Sequence, residues 1–247
     1  MKQYQAYFFD LYGTLVDIHT DESKPKFWKA AASCYAFHGA AYDPAELRSE
    51  YSRLCAAETE RLQKAFPGAA VEIDLLPVFR ALYQAKGISP DEALTADTAW
   101  AFRRASTTRL RAYAGAGALL AALRFTGRTV ILLSNAQSCF TRPELNELGL
   151  MDRFNRIYIS SEIGFQKPDP RFFSAALREL DLDPADCLMV GNDPVCDVDG
   201  AVSAGMDAVY LRTALSPADA PDVHPKAVFS YRGSDLRRLR SLLLRWD

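Results

Sequence analysis

Short apolar stretches alternate with amphipathic stretches through the second half of this chain, from about residue 115 to residue 211. The apolar stretches resemble strands buried on both faces, and the amphipathic stretches have the three-and-four spacing of helices. Such alternation predicts a parallel sheet covered by helices on both faces, which is a Rossmann-like, doubly wound α/β fold. The predicted strands are Arg128–Leu133, Arg156–Ser160, Cys187–Val190, Ala208–Leu211 and a candidate last strand at Ala227–Ser230. The predicted helices are Gly115–Phe125, Gln137–Leu148, Pro170–Leu180, Val195–Ala204 and Ser234–Trp246.

A further buried strand is predicted near the start of the chain, and it ends at a carboxylate. Tyr7 to Phe9 are aromatic, and Asp10 follows them directly. Gly13 and Thr14 then favour a turn, since glycine permits unusual backbone angles and threonine offers a hydroxyl group. Ligands bind at the carboxyl ends of strands in open parallel sheets, so Asp10 is a candidate nucleophile. The alternative, an aspartate that only caps a turn or a helix, stays open on this local pattern.

Helical spacing dominates the region between the first strand and the alternating half. Helices are predicted at Lys26–His38, Pro44–Ala65, Leu75–Lys86 and Ser89–Ala112. Asp43-Pro44 and Ser89-Pro90 have the form of helix starts, with a cap residue before proline. No strand pattern is found between about Ile18 and Ala112. We therefore predict an all-helical cap domain at residues 18–112, inserted into a core domain of residues 1–17 and 113–247.

The composition excludes several classes of protein. A net charge of -2 gives no general attraction to nucleic acid or to an anionic membrane. No apolar run is long enough to span a bilayer, and the predicted first strand begins so early that we expect no signal peptide. The five cysteines are odd in number and form no CxxC pair, which favours reduced thiols and a cytoplasmic protein. Nothing in the pattern indicates an oligomeric state.

Four groups of polar residues fall at the predicted strand ends. They are Asp10 with Thr14, Ser134 with Asn135, Lys167 after Gln166, and Asn192-Asp193 with Asp197. Each group alone has a structural explanation as a helix cap or a loop residue. Because parallel strands of one sheet end at the same edge, we expect all four groups to meet in one crevice.

In this order, the four groups resemble the motifs of the haloacid dehalogenase superfamily, and the helical insert resembles its first-type cap. The most specific match is Asp10-Leu11-Tyr12-Gly13-Thr14-Leu15. The resemblance implies that Asp10 attacks phosphorus or carbon and forms a covalent intermediate, with Thr14, Tyr12 and Lys167 in the catalytic group. It also implies that Gly13, Ser134 and Asn135 bind the transferring group. For a phosphatase it implies Mg²⁺, with ligands among Asp10, the Tyr12 backbone carbonyl, Asn192, Asp193 and Asp197.

Two positions depart from the phosphatase pattern. Family phosphatases place an aspartate two residues after the nucleophile as general acid and base, and this chain has Tyr12 there. A tyrosine with an ordinary pKa of about 10 is a poor base near neutrality. The metal motif of the family begins with an acidic residue a fixed distance before a second aspartate, here Asp197. With the usual spacing this first position is Asn192, and with a spacing one residue shorter it is Asp193.

Tyr12 is also what the metal-free L-2-haloacid dehalogenases of the superfamily carry. Three other positions depart from their pattern, since this chain has Phe173, Pro194 and Asn192 where they have Tyr, Asn and Ser. Their substrate-binding arginine also has no clear counterpart near residues 38–41. Asp193 and Asp197 suit a cation better than a metal-free pocket.

We therefore predict a magnesium-dependent hydrolase that resembles phosphatases and acts on a small phosphorylated metabolite. One alternative is a metal-free 2-haloacid dehalogenase. The other is a weakly active fold that binds a phosphometabolite or a protein partner.

Overall fold

A computed structural model describes residues 2–244. Six parallel strands form the central sheet in the order β5-β4-β1-β6-β7-β8. These strands are β1 (Ala6–Phe9), β4 (Thr129–Ser134), β5 (Arg156–Ile159), β6 (Cys187–Gly191), β7 (Asp207–Arg212) and β8 (Phe229–Arg232). The predicted fold class is confirmed, and the predicted last strand is shifted by two residues.

Helices cover both faces of the sheet. The core helices are α5 (Ala116–Phe125), α6 (Ser138–Glu147), α7 (Ser160–Ile163), α8 (Pro170–Glu179), α9 (Gly200–Ser203) and α10 (Leu236–Leu243). Short 3₁₀ turns occupy Met151–Arg153 and Pro184–Asp186, and a π-helical segment, Pro194–Asp199, precedes α9. Trp246, which the sequence places on the apolar stripe of the last helix, lies outside the described residues.

The alternation of side chains along β1 divides the hydrophobic core into two parts. Phe9 packs on one face of the sheet with residues of α5 and α10, and Phe8 packs on the other face with residues of α8 and α9. Both phenylalanines are fully buried. Because β1 lies in the middle of the sheet, this packing fixes the strand that ends at Asp10.

Four helices build the cap around an aromatic core. They are α1 (Pro25–Phe37), α2 (Pro44–Ala65), α3 (Leu75–Gln84) and α4 (Glu92–Ser106). Asp43 caps α2 as predicted, with its side chain accepting from Ala45 N at 2.8 Å. Phe27, Phe79 and Phe102 lie in the buried cluster that these helices enclose. Within residues 2–244, no helix combines the length and apolar character needed to cross a bilayer.

Two predictions for the cap region are wrong. The sequence predicts a helix start at Ser89-Pro90, but α4 begins at Glu92, and the cap is Asp91, which accepts from Leu94 N at 2.7 Å. Helix α4 ends at Ser106 rather than Ala112, and β3 (Thr107–Ala112) pairs antiparallel with β2 (Val16–Thr20). Across this two-stranded ribbon, Asp17 accepts from Arg109 and Arg111 at 3.0 and 2.8 Å. The spacing of Leu110 and Ala112 fits both a helix and a strand, and only the distant partner strand decides between them. The ribbon carries the chain into and out of the cap, and the domain boundaries stay a prediction.

Candidate active site

The order of the strands brings the polar strand ends together. Asp10 follows β1, Ser134 ends β4 and Asn192 follows β6, and β1 lies between the other two strands. Lys167 reaches the same place from the loop between α7 and α8. Asp10, Asn192 and Lys167 line a cleft of about 190 Å³ together with Tyr12, Asn135, Asp193, Cys196, Asp197 and Leu215. Ser134 is fully buried at the same edge of the sheet. The expected crevice is therefore present at this edge of the sheet.

Lys167 lies between two carboxylates at the base of the cleft. Its Nζ donates to Asp10 Oδ1 at 2.8 Å and to Asp197 Oδ1 at 2.7 Å, and its side chain is only 1% exposed. Burial alone would lower the pKa of Lys167, but the two carboxylates outweigh burial and raise it above its ordinary value. Burial raises the pKa of Asp197, and the charge of Lys167 opposes that change. Lys167 therefore keeps a fixed positive charge beside Asp10.

The loop after β1 holds the second oxygen of Asp10. Thr14 Oγ1 lies 3.0 Å from both Asp10 Oδ2 and Asn192 Oδ1, and it can donate to either. Gly13 has a φ of +87°, and a Cβ there would lie 2.5 Å from Asn192 Nδ2. Only glycine can therefore take this conformation without displacing Asn192. Thr213 supports the turn by donating to the Gly13 carbonyl at 2.8 Å.

Ser134 and Asn135 differ in what their side chains contact. Asn135 accepts from Lys167 N at 2.7 Å and donates to Lys167 O at 2.9 Å, so its amide positions the loop that carries Lys167. Ser134 Oγ is fully buried and has no hydrogen-bond partner within residues 2–244. A buried hydroxyl group without a partner is costly, so this atom is suited to a ligand that completes it.

Asn192 and Asp193 also have distinct environments. The Asp193 side chain caps the following segment, accepting from Val195 N at 2.9 Å and Cys196 N at 2.8 Å. Its backbone N–H donates to Asp197 Oδ2 at 2.8 Å. Asn192 is buried and directs its carbonyl oxygen toward Thr14, which also contacts Asp10. The geometry therefore places Asn192 closer than Asp193 to the nucleophile loop.

Oxygen atoms are the available metal donors around Asp10. Across residues 2–244, no three His, Cys, Asp or Glu side chains gather to hold an ion by themselves. The Asp10 carboxylate, the Asn192 amide oxygen and a backbone carbonyl are hard oxygen donors of the kind that Mg²⁺ takes. Mg²⁺ is commonly bound by one or two carboxylates while it keeps several waters. The donor set therefore fits magnesium and does not fit zinc.

The side chain of Tyr12 is bound to helix α6. Its hydroxyl lies 3.0 Å from Thr141 Oγ1 and donates to Glu144 Oε2. Burial and the charge of Glu144 raise the pKa of Tyr12 well above its ordinary value. A phenol in this environment does not act as a base near neutral pH.

Sequence reasoning did not find Glu144 or its partner Arg103. Arg103 Nε, on cap helix α4, donates to Glu144 Oε1 at 2.6 Å. The available signal was the buried face of α6, where Thr141 and Glu144 lie beside Phe140 and Leu145. Two polar residues on an otherwise apolar face require buried partners. Burial raises the pKa of the Cys139 and Cys196 thiols to about 12 each, which disfavours the reactive thiolate.

The cap contacts the core beside the Lys167 loop as well. Gln166 N donates to Ala70 O at 2.9 Å, and Ala70 N donates to Asp169 Oδ2 at 3.1 Å. Gln137, three residues after Ser134, donates to Ile73 O at 2.8 Å. The segment between α2 and α3 therefore joins the cap to the loop that carries Lys167 and to the start of α6.

Comparison with known proteins agrees with this geometry. The phosphoserine phosphatase of Thermus thermophilus is 37% identical over 162 residues, which cover 66% of this chain and 62% of that protein. The 6-phosphogluconate phosphatase of Escherichia coli is 26% identical over 229 residues, which cover 92% and 90% of the two chains. The matched stretch spans 62%, 59% and 58% of three curated relatives, or about three fifths of their lengths.

A solved structure described as a 2-haloacid dehalogenase from Pseudomonas syringae pv. Tomato superposes with a TM-score of 0.65. It is 22% identical and covers 99% of this chain and 100% of that chain, which shows a shared fold. The family model for "haloacid dehalogenase-like hydrolase" matches residues 4–205. This match covers most of the chain and includes all four groups of polar residues, so the chain belongs to the haloacid dehalogenase-like hydrolase family.

Proposed function

We propose that this chain is a magnesium-dependent phosphatase that hydrolyses a small phosphorylated metabolite through an aspartyl-phosphate on Asp10. The observation that carries the proposal is the position of Asp10, whose carboxylate is held by Lys167 and Thr14 at the sheet edge where the neighbouring strand β4 ends in Ser134, a residue with an unpartnered hydroxyl. Relatives named as phosphoserine and 6-phosphogluconate phosphatases support this reaction class.

Charge repulsion is the main obstacle to this reaction, because a carboxylate must approach an anionic phosphoryl group. Lys167 offsets that charge from within the cleft, and such groups act most strongly in a site that excludes water. Ser134 Oγ would donate to a phosphoryl oxygen and so gain the partner it lacks. Thr14 and Lys167 hold the two oxygens of Asp10 in place for attack.

Asp10, the Tyr12 backbone carbonyl and Asn192 would hold the magnesium ion. When bound, the ion supplies positive charge that stabilises the phosphoryl oxygens. Asp193 would add negative charge from the neighbouring position, while Asp197 holds Lys167.

Metal removal is the direct test of this assignment. We expect a chelator to lower the release of p-nitrophenol from its phosphate by about 10²-fold or more, because a bound metal contributes several kcal/mol to such transition states. Added Mg²⁺ should restore the rate, and circular dichroism should show an unchanged fold throughout. Full activity in chelator would contradict the assignment, as would halide release from 2-chloropropionate without metal, which would support a dehalogenase.

A second prediction concerns how the rate depends on the leaving group, because Tyr12 occupies the position of the general acid. A positioned acid or base contributes about 10²- to 10⁴-fold, and the hydroxyl of Tyr12 is committed to α6. Alkyl phosphates, which need a protonated leaving group, should therefore react more slowly than aryl phosphates. Tyr12→Asp should raise the ratio of the alkyl rate to the aryl rate, because only the alkyl leaving group needs the added acid.

Steady-state rates for one aryl and one alkyl phosphate would check this prediction in the natural protein, in Tyr12→Asp and in Tyr12→Phe. Tyr12→Phe is the control, since it removes the hydroxyl without adding a carboxylate. Equal rates on both substrates, with no gain from Tyr12→Asp, would show that another residue already transfers the proton.

A further inference from the structure

A buried polar cluster joins the nucleophile loop to the cap. We define the latch cluster as Tyr12, Arg103 and Glu144. The Glu144 side chain is 1% exposed and that of Arg103 is 13% exposed. One carboxylate accepts from both partners, from Tyr12 through Oε2 and from Arg103 through Oε1. Glu144 thus contacts the loop that carries Asp10 and the cap helix α4 at the same time.

The surroundings of the latch cluster make its contacts interdependent. The Arg103 guanidinium lies 5.7 Å from the ring centre of Tyr12 and 5.2 Å from that of Phe140. The Arg103 and Glu144 side chains are 13% and 1% exposed, so few waters reach this ion pair while α4 stays docked. Removing one member of a buried ion pair leaves an uncompensated charge, which is strongly unfavourable. Displacement of α4 would leave Glu144 with Tyr12 alone and would disturb the loop that Tyr12 anchors.

A second ion pair joins the same two helices at the surface. Arg104 Nη1 lies 2.8 Å from Glu147 Oε2, and the two side chains are 58% and 46% exposed. Exposed pairs of this kind contribute little, because water solvates each partner when the pair opens. The chain therefore contains a matched control in which the helices and charges are the same, but the ion pair is exposed and does not contact the nucleophile loop.

We propose that Glu144 is a positioning residue that couples docking of cap helix α4 to the conformation of the nucleophile loop. The coupling is physical, since a single carboxylate cannot keep both contacts unless α4 and the loop are in place together. It gives Tyr12, which is unsuited to proton transfer, a role in holding the loop. The proposal rests on the proposed function only where it concerns turnover.

Hydrogen exchange tests the coupling without any catalysis. Leu15 N and Val16 N donate to Leu11 O at 2.8 and 2.9 Å, so they report on the closed turn of the nucleophile loop. In Arg103→Met we expect their exchange to accelerate about tenfold, in the range of coupling between sites. Arg104→Met should change it less than about twofold, because its ion pair is exposed. Arg103→Lys, which keeps the charge, should restore most of the protection.

The reverse direction supplies a second, independent variant. Coupling between two sites is reciprocal, so Tyr12→Phe should accelerate exchange near the end of α4, at residues 103–106. In both variants, amides of β1 should keep their protection, because the sheet lies outside the latch cluster. If the enzyme is a phosphatase, Arg103→Met should also lower kcat more than it changes KM.

Three results would overturn the proposal. They are unchanged loop exchange in Arg103→Met, equal effects of Arg103→Met and Arg104→Met, and acceleration of β1 amides together with the loop. The last result would show a purely structural contribution to stability. Since none of these measurements needs a substrate, failure of the proposed function and failure of the coupling are distinguishable.

Discussion

Asp10→Asn should reduce turnover by on the order of 10³-fold or more while leaving the fold intact. The substitution keeps the size of the side chain and an oxygen that can face Lys167, but an amide is not a useful nucleophile. Because the variant cannot form the covalent bond, the phosphorylated Asp10 intermediate should also be absent when reactions with an aryl phosphate are rapidly quenched. Steady-state rates and mass spectrometry of the quenched protein would measure both effects.

Asp17→Asn is the matched control for this experiment. Asp17 is a buried aspartate of strand β2, which follows the nucleophile loop, but it pairs with Arg109 and Arg111 across the ribbon and does not line the cleft. We expect it to lower the free energy of unfolding by about 1 kcal/mol and to leave turnover within about threefold. An active Asp10→Asn protein would exclude every mechanism in which Asp10 attacks the substrate.

The sheet was predictable because its signals are local. Each buried strand is a short apolar run that ends in polar residues, and the end of β1 at Asp10 shows both features within ten residues of the start. Parallel strands end at one edge, so the meeting of Asp10, Ser134 and Asn192 followed from the fold class alone.

The contacts that define each role were not predictable, because they depend on residues far apart in the chain. Asn135 and Ser134 are neighbours in sequence, yet one side chain holds the Lys167 backbone and the other has no partner among the described residues. The identity of residue 12 as tyrosine matches the dehalogenase motif, but identity alone does not show what the side chain contacts. Its hydroxyl donates to Glu144, 132 positions away in the sequence, and this hydrogen bond depends on the packing of α6 against the loop.

The cap shows the same limit at the level of secondary structure. Residues 107–112 are amphipathic at either period, and their strand conformation depends on pairing with residues 16–20. Such pairing between distant segments leaves no mark in the spacing of either one. The predicted bundle was therefore correct for α1 to α3, whereas the predicted fourth helix started too early and ended too late.

Lys167→Met should affect both activity and stability. The amine lies between Asp10 and Asp197, so its removal leaves two adjacent carboxylates without a cation. We expect turnover to fall by about 10²- to 10³-fold, since a preorganised charge at the reacting group is lost. The free energy of unfolding at pH 8 should fall by about 3–5 kcal/mol, as found when one partner of a buried ion pair is removed.

The loss of stability should depend on pH in a defined direction. In the natural protein the pKa of Lys167 is raised by folding, so its contribution is complete below the unfolded value of about 10.4 and is lost only as pH rises through the folded pKa. In Lys167→Met, the pKa of Asp197 should rise further, because burial and the charge of Asp10 already raise it and the opposing cation is gone. A raised carboxyl pKa means that the folded state holds protons which the unfolded state has released, so stability falls as pH rises. The variant should therefore be more stable at pH 5 than at pH 8.

Urea denaturation of the natural protein and the variant at both pH values would measure this difference. Lys226→Met is the control, because Lys226 pairs with Asp199 at 2.6 Å but is 56% exposed. Its stability should stay within about 0.5 kcal/mol of the natural protein at either pH. If Lys167→Met loses the same stability at pH 5 as at pH 8, the two carboxylates do not repel each other in the folded state. Lys167 would then contribute mainly through packing, and its assignment as the cation that offsets the charge on Asp10 would be wrong.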